Sequence, residues 1–170
     1  MMRKVLVIGL DGATFDLLAP WIERGRLPTL ARLIEEGVSG TLESTSPPIS
    51  SAAWASFATG KNPGKHGIVD FVHPEENGYR VTIVNSKKRG SKALWNLISE
   101  AGGQVGVVGV PVTYPPEEVN GFMISGFLAP SSKSDYTYPP SLRQELGEKL
   151  GAFNSCPARN TALRPPPISS

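Results

Sequence analysis

The sequence predicts an α/β domain with a mainly parallel sheet. Short β-branched runs alternate with amphipathic helical stretches along most of the chain. The first run, Val5-Leu6-Val7-Ile8, is continuously apolar, as a strand covered on both faces would be. At 170 residues the chain is long enough for one domain with a substantial core. Its 18 glycines and 16 prolines point to a loop-rich globular protein, short of low complexity.

Taken in order, Lys4 to Ile8 is the expected first strand, closed by Gly9-Leu10-Asp11-Gly12. A helix follows from near Thr14, carrying Phe15, Leu17, Leu18 and Trp21, and Arg26-Leu27-Pro28 breaks it. A second helix runs from about Thr29, with Leu30, Leu33 and Ile34 on one face, and stops at Gly37. Gly40 to Glu43 is a candidate strand, and Ser44 to Pro48 a polar loop. Ile49 to Ala58 reads as a short helix of small residues closed by Thr59-Gly60. Tyr79 to Val84 alternates like a strand. Ser91 to Ala101 is an amphipathic helix with Ser91 as cap and Leu94, Leu97 and Ile98 as its buried stripe. Gln104 to Val110 and Phe122 to Ser125 are further strands, and Ser141 to Leu150 is a polar helix.

Residues 1–151 therefore form the expected domain, and 152–170 stand apart. That tail holds the one cysteine, Cys156, with four prolines, two arginines and no acidic residue. Two readings suit it: a disordered tail, or a chain cut or frame-shifted near Gly151.

Composition limits the functions available. A formal charge of +2 is too small to imply binding of a nucleic-acid duplex or a membrane surface. One cysteine excludes an internal disulfide and a cysteine-built metal site. The apolar run after Met1-Met2-Arg3-Lys4 is too short for a signal peptide, and nothing approaches a membrane span. The expectation is a soluble cytoplasmic protein.

Two phosphate-handling motifs fail on spacing. Gly60-Lys61-Asn62-Pro63-Gly64-Lys65-His66 is one residue short of a Walker A loop and ends in His66 where Ser or Thr should stand. Gly103, Gly106 and Gly109 are wrongly spaced for a dinucleotide fingerprint. The opening Val5 to Ala13 resembles the haloacid dehalogenase-like phosphatases, but Gly9 occupies the position of their nucleophilic Asp.

What remains is Asp11 just beyond a strand, where ligands bind in open α/β sheets, and a hydroxyl cluster some forty residues later. A carboxylate there suits Zn²⁺, Mn²⁺ or Mg²⁺. Ser50 and Ser51 follow Pro47-Pro48-Ile49 at a helix start, where backbone N–H groups and the helix dipole favour a phosphoryl anion. Taken alone, Asp11 reads as a helix cap and Ser50 as an ordinary N-cap. Ser51 and Ser46 are fallback nucleophiles.

Gly9-Leu10-Asp11-Gly12, then Pro47-Pro48-Ile49-Ser50-Ser51-Ala52-Ala53-Trp54-Ala55-Ser56-Phe57-Ala58-Thr59-Gly60, then Asn62-Pro63-Gly64-Lys65-His66-Gly67-Ile68 together resemble the type I phosphodiesterase/nucleotide pyrophosphatase family of the alkaline phosphatase superfamily. The family nucleophile precedes the Thr of a Thr-Gly pair by nine positions, which here gives Ser50. The resemblance covers about residues 3–150. It implies an alkaline phosphatase-like three-layer sandwich, incomplete in this chain. It implies a hydrolase of phosphodiesters or phosphoanhydrides, acting on small phosphate esters or nucleotides through a covalent phosphoryl-serine. Two divalent ions, zinc foremost and manganese or magnesium otherwise, would serve it, with Asp11 and Ser50 as ligands of one. The matching His66 is not a metal ligand in that family and is expected to be structural. Ala53 stands where some nucleotide-cleaving relatives have Asn, which puts nucleotide specificity in doubt. The family's other Asp and His ligands lie downstream, so the chain by itself is expected to be inactive. The alternatives are another superfamily phosphomutase or phosphomonoesterase, or an inactive fragment. His73 is expected in a solvated loop beside Pro74-Glu75-Glu76. Trp54 and Trp95 are expected core aromatics, with Trp54 bordering the pocket. Lys87-Lys88-Arg89 is expected as an exposed turn.

Overall fold

A computed structural model describes residues 4–75, 80–126, 128 and 134–150. The expected tail over 152–170, with Cys156, lies outside them, as do Glu76 and Tyr79. The chain divides into two compact units, residues 1–43 and 44–170. The class is mixed α/β.

The first unit contains α1 (Phe15–Glu23) and α2 (Pro28–Glu36), which pack on each other. Gly25, at φ 69°, ends α1. Its N–H donates to the Ile22 carbonyl at 2.9 Å, and the Arg26 N–H reaches the Trp21 carbonyl at 2.9 Å. That paired closure of a helix C-terminus requires a left-handed residue, which glycine supplies without strain. The stop therefore comes from Gly25, just before the expected Arg26-Leu27-Pro28 break. Pro28 opens α2 at a position whose N–H has no helical partner to lose.

Two expected strands do not form here. Lys4 to Ile8 and Gly40 to Glu43 carry no strand pairing, and Val5 to Ile8 are exposed. A β-branched run favours the extended backbone, but a strand exists only where a neighbour supplies ladder partners. The described residues of this unit include no other strand.

The second unit starts with α3 (Ser50–Thr59), closed by Gly60 at φ 64°, followed by the single turn α4 (Pro63–His66). The Asn62 side chain caps α4 by accepting the Lys65 N–H. Next come β1 (Val72–Pro74) and β2 (Val81–Ile83), an antiparallel pair in which His73 faces Thr82. His73 is thus a strand residue, though an exposed one. A short 3₁₀ turn spans Ser86–Lys88 and leads to α5 (Leu94–Glu100).

The larger sheet holds β3 (Val105–Val108), β4 (Gly121–Ile124) and β5 (Thr137–Tyr138), in that order. β3 and β4 are parallel and β4 and β5 antiparallel, so the sheet is mixed. Val105 pairs with Gly121 so closely that a Cβ on residue 121 would overlap the Val105 carbonyl oxygen. α6 (Ser141–Leu150) follows β5 and packs on it.

The main core gathers Ala58, Ala93, Trp95, Val107, Val119 and Met123. A second cluster of Ala55, Ile68, Val84 and Val112 lies beneath α3. α5 presents a different face from the one its periodicity suggests. Leu94, Leu97 and Ile98 are exposed, and Trp95 is buried. A buried indole carries a large apolar area but needs an acceptor for its N–H, and Glu117 accepts it at 2.8 Å. The cap is Ala93 rather than Ser91. The Asn96 side chain accepts the Ala93 N–H at 2.8 Å.

Candidate active site

Ser50 is the first helical residue of α3 and is half-buried. The position before it is Ile49, in extended conformation, which makes no side-chain cap. The ordinary N-cap reading of Ser50 is therefore displaced by one residue. A helix N-terminus directs backbone N–H groups and the positive end of the helix dipole, about half an elementary charge, beyond its first residue, here Ser50. Ser46, the more distant fallback, is exposed in the loop before α3.

Ser51 is different. It is fully buried, and its Oγ has no hydrogen-bond partner. A hydroxyl with no access to solvent cannot meet a substrate, which removes Ser51 as a fallback nucleophile. Trp54 lies one turn along from Ser50 and is half-buried, with its ring edge-to-face with Phe57 at 5.9 Å. It is a partial core aromatic, unlike the buried Trp95.

Asp11 belongs to the first unit. It occupies an exposed turn with Gly12, which adopts φ 68°. The N-cap of α1 is Thr14, so Asp11 is not the cap residue of that helix.

His66 is fully buried at the end of α4. Its Nδ1 accepts the Ile68 backbone N–H at 3.1 Å, and its Nε2 lies 2.8 Å from Ser56 Oγ. A backbone N–H only donates, so Nδ1 must be the unprotonated nitrogen and Nε2 carries the hydrogen. Nε2–H thus donates to Ser56. This serine–histidine pair cannot work as nucleophile and base, because the nitrogen facing the hydroxyl has no lone pair to take its proton. Burial, and then the Arg89 cation, hold the imidazole below its ordinary pKa of 6.5. Both effects favour the neutral ring that this geometry needs.

A second polar cluster joins residues far apart in sequence. Arg89 Nη2 donates to both carboxylate oxygens of Glu117 at 2.7 Å. Trp95 Nε1 donates to the same carboxylate at 2.8 Å, and the guanidinium lies 5.3 Å from the Trp95 ring centre. Arg89 Nε donates to the Ser91 carbonyl. Lys87 and Lys88 are exposed as expected, but Arg89 is buried, which corrects the reading of all three as a solvated turn. The attraction of Glu117 and the face of Trp95 replace the water it gives up.

Among the described residues no group of three or more His, Cys, Asp or Glu could hold an ion. No helix among them is long and apolar enough to cross a membrane.

The polar residues that sequence spacing missed are Ser56, Arg89 and Glu117. Their pairings span 10 and 28 positions, beyond any helical or strand repeat. Comparison with family sequence models gives a match over residues 5–163 to the one described as type I phosphodiesterase / nucleotide pyrophosphatase. No curated protein and no solved structure matches the chain.

Proposed function

We propose, from the premise that this chain belongs to the type I phosphodiesterase/nucleotide pyrophosphatase family, that Ser50 is the nucleophile of a phosphodiester hydrolase. Membership supports a phosphoester hydrolase-like function acting on small phosphate-ester or nucleotide substrates. Ser50 Oγ attacks phosphorus, the bond to the leaving alcohol breaks, that alcohol departs with the serine proton, and a phosphoryl-serine that keeps the second ester group forms. Water then cleaves that ester and restores the hydroxyl. The observation that carries this reading is the placement of Ser50 at the first position of the ten-residue α3. Charge developing on the phosphoryl oxygens there meets backbone donors that need no reorganisation. Ala53, an apolar residue on the same helix, offers no side-chain donor to a phosphate oxygen, which favours a simple diester over a nucleotide.

The proposed cofactors are two divalent ions, zinc with manganese or magnesium as alternatives, supplying Lewis-acid charge when bound. Asp11 and the Ser50 oxygen are the proposed ligands. Those two do not make a closed site, and no described cluster adds the rest. Further ligands would complete the site.

The test is a substrate panel in Zn²⁺ or Mn²⁺ with a version of the chain that also supplies the family's further Asp and His ligands. Cleavage of bis-p-nitrophenyl phosphate well above that of p-nitrophenyl phosphate, lost in Ser50→Ala, is the expected result. Preference for the monoester would favour a phosphomonoesterase instead. Equal near-background rates for the chain and Ser50→Ala would leave an inactive fragment.

A further inference from the structure

The buried face of α3 is built from Ser51, Ala52, Ala55 and Ala58. None of these side chains is large enough to act as a knob in a neighbour's groove. Packing of such a face resists separation but fixes rotation about the helix axis only weakly. The largest side chains of the helix, Trp54 and Phe57, are half-buried and exposed respectively. Something more directional must set the angle at which α3 presents its first residue.

His66 has the geometry for it. Its Nε2–H donates to Ser56 Oγ, in the second turn of α3, at 2.8 Å. The ring itself is held through Nδ1, which accepts the Ile68 N–H, and Ile68 packs in the cluster beneath α3 with Ala55. The backbone of His66 is held on both sides as well. Its N–H donates to the Asn62 carbonyl at 3.2 Å, and its carbonyl accepts the Gly90 N–H at 2.9 Å. A donor fixed at ring and backbone is a rigid post, and a linear hydrogen bond to a helix side chain defines a rotation angle that methyl groups do not.

We propose that His66 is a positioning residue: through Ser56 it sets the rotation of α3, and so the direction in which Ser50 presents its oxygen. The inference rests on the reading of Ser50 as nucleophile for its functional meaning, but the helix tie can be measured without turnover.

The experiment compares His66→Leu, Ser56→Ala and His66→Gln in the full chain. Gln keeps an N–H donor near the position of Nε2, whereas Leu fills space without one. Amide hydrogen exchange is read at Ala53 to Phe57 in α3, with α5 and β3 as internal references. His66→Leu and Ser56→Ala are expected to speed α3 exchange about tenfold, the factor of one lost internal hydrogen bond, with the references unchanged. His66→Gln is expected to recover most of that protection. In the diesterase assay kcat should fall in His66→Leu with KM within twofold, and return in His66→Gln. Unchanged α3 exchange in His66→Leu would overturn the proposal. Uniform acceleration across α3, α5 and β3 would overturn it too, by showing a loss of global stability. Turnover that Ser50→Ala leaves unchanged would sink the Ser50 reading, and the exchange data would still decide the tie.

Discussion

Glu117→Ala isolates the buried ion pair of the second unit. The Arg89 side chain is 3% exposed and that of Glu117 24%. Removing the carboxylate leaves a guanidinium out of water with no counter-charge. Breaking such a buried pair from one side costs about 3–5 kcal/mol. The Trp95 N–H also loses its acceptor, a further cost of roughly 1–3 kcal/mol if water does not replace it. Water does have a route, because Glu117 is partly exposed, and only one guanidinium nitrogen, Nη2, makes both short contacts. We therefore expect the lower end, about 3 kcal/mol in all. The assay is equilibrium urea unfolding at pH 7, followed by far-ultraviolet circular dichroism, since Trp95 fluorescence would report the network itself. The internal control is Lys92→Ala. Lys92 also pairs with a carboxylate, Glu100, at 2.7 Å, but both partners are more than half exposed. Its removal should cost less than about 1 kcal/mol. Glu117→Gln, which keeps an acceptor for Trp95 but not the charge, should fall between them. Equal losses in Glu117→Ala and Lys92→Ala would refute the argument that burial makes this pair matter.

Three further outcomes follow from single residues. Ser51→Ala removes a buried hydroxyl with no partner and replaces it by a better helix former, so stability should rise by about 1 kcal/mol; a loss in urea unfolding would mean the hydroxyl is bonded. Gly121→Ala drives a methyl into the Val105 carbonyl and should cost about 3 kcal/mol or more, whereas Gly147→Ala in α6 meets nothing within 4 Å and should stabilise by up to about 1 kcal/mol. His66 binds its proton less readily folded than unfolded, so its contribution to stability is intact above pH 6.5 and is lost as pH falls through the lowered folded value. Unfolding free energies at pH 7.5 and 5.5 should therefore differ less in His66→Gln than in the unmodified chain, and an unaltered difference would assign the acid sensitivity elsewhere.

The parts of the fold that were legible in the sequence are those decided within a few residues. α3 spans Ser50–Thr59, within a residue of the span read from its small residues and its Thr-Gly stop, and α6 matches its expected bounds. α1 and α2 start and stop near their expected signals because glycine and proline act through the local backbone. Strands fared worse for one reason. Val5 to Ile8 has the composition of a strand and no pairing, while Thr137–Tyr138 has little strand signal and pairs with β4. Composition sets how willing a segment is to extend. Whether it becomes a strand depends on a neighbour from elsewhere in the chain.

The candidate site divides along the same line. Ser50 at a helix start, and Asp11 in a turn before a helix, are local facts that spacing conveys. What surrounds them is not. Lys87, Lys88 and Arg89 are three consecutive cations of one chemical kind, and nothing in their order says that the third goes inside. The difference is Glu117, 28 positions on, together with the Trp95 ring that the guanidinium covers. Likewise the sequence reads His66 as structural, and its part is specified only where the Ile68 N–H occupies Nδ1 and puts the proton on Nε2. One backbone donor, two residues away, turns a potential proton acceptor into a fixed donor aimed at α3. The chemistry of each group was set by its type, but its role was set by the partner that satisfies its other side.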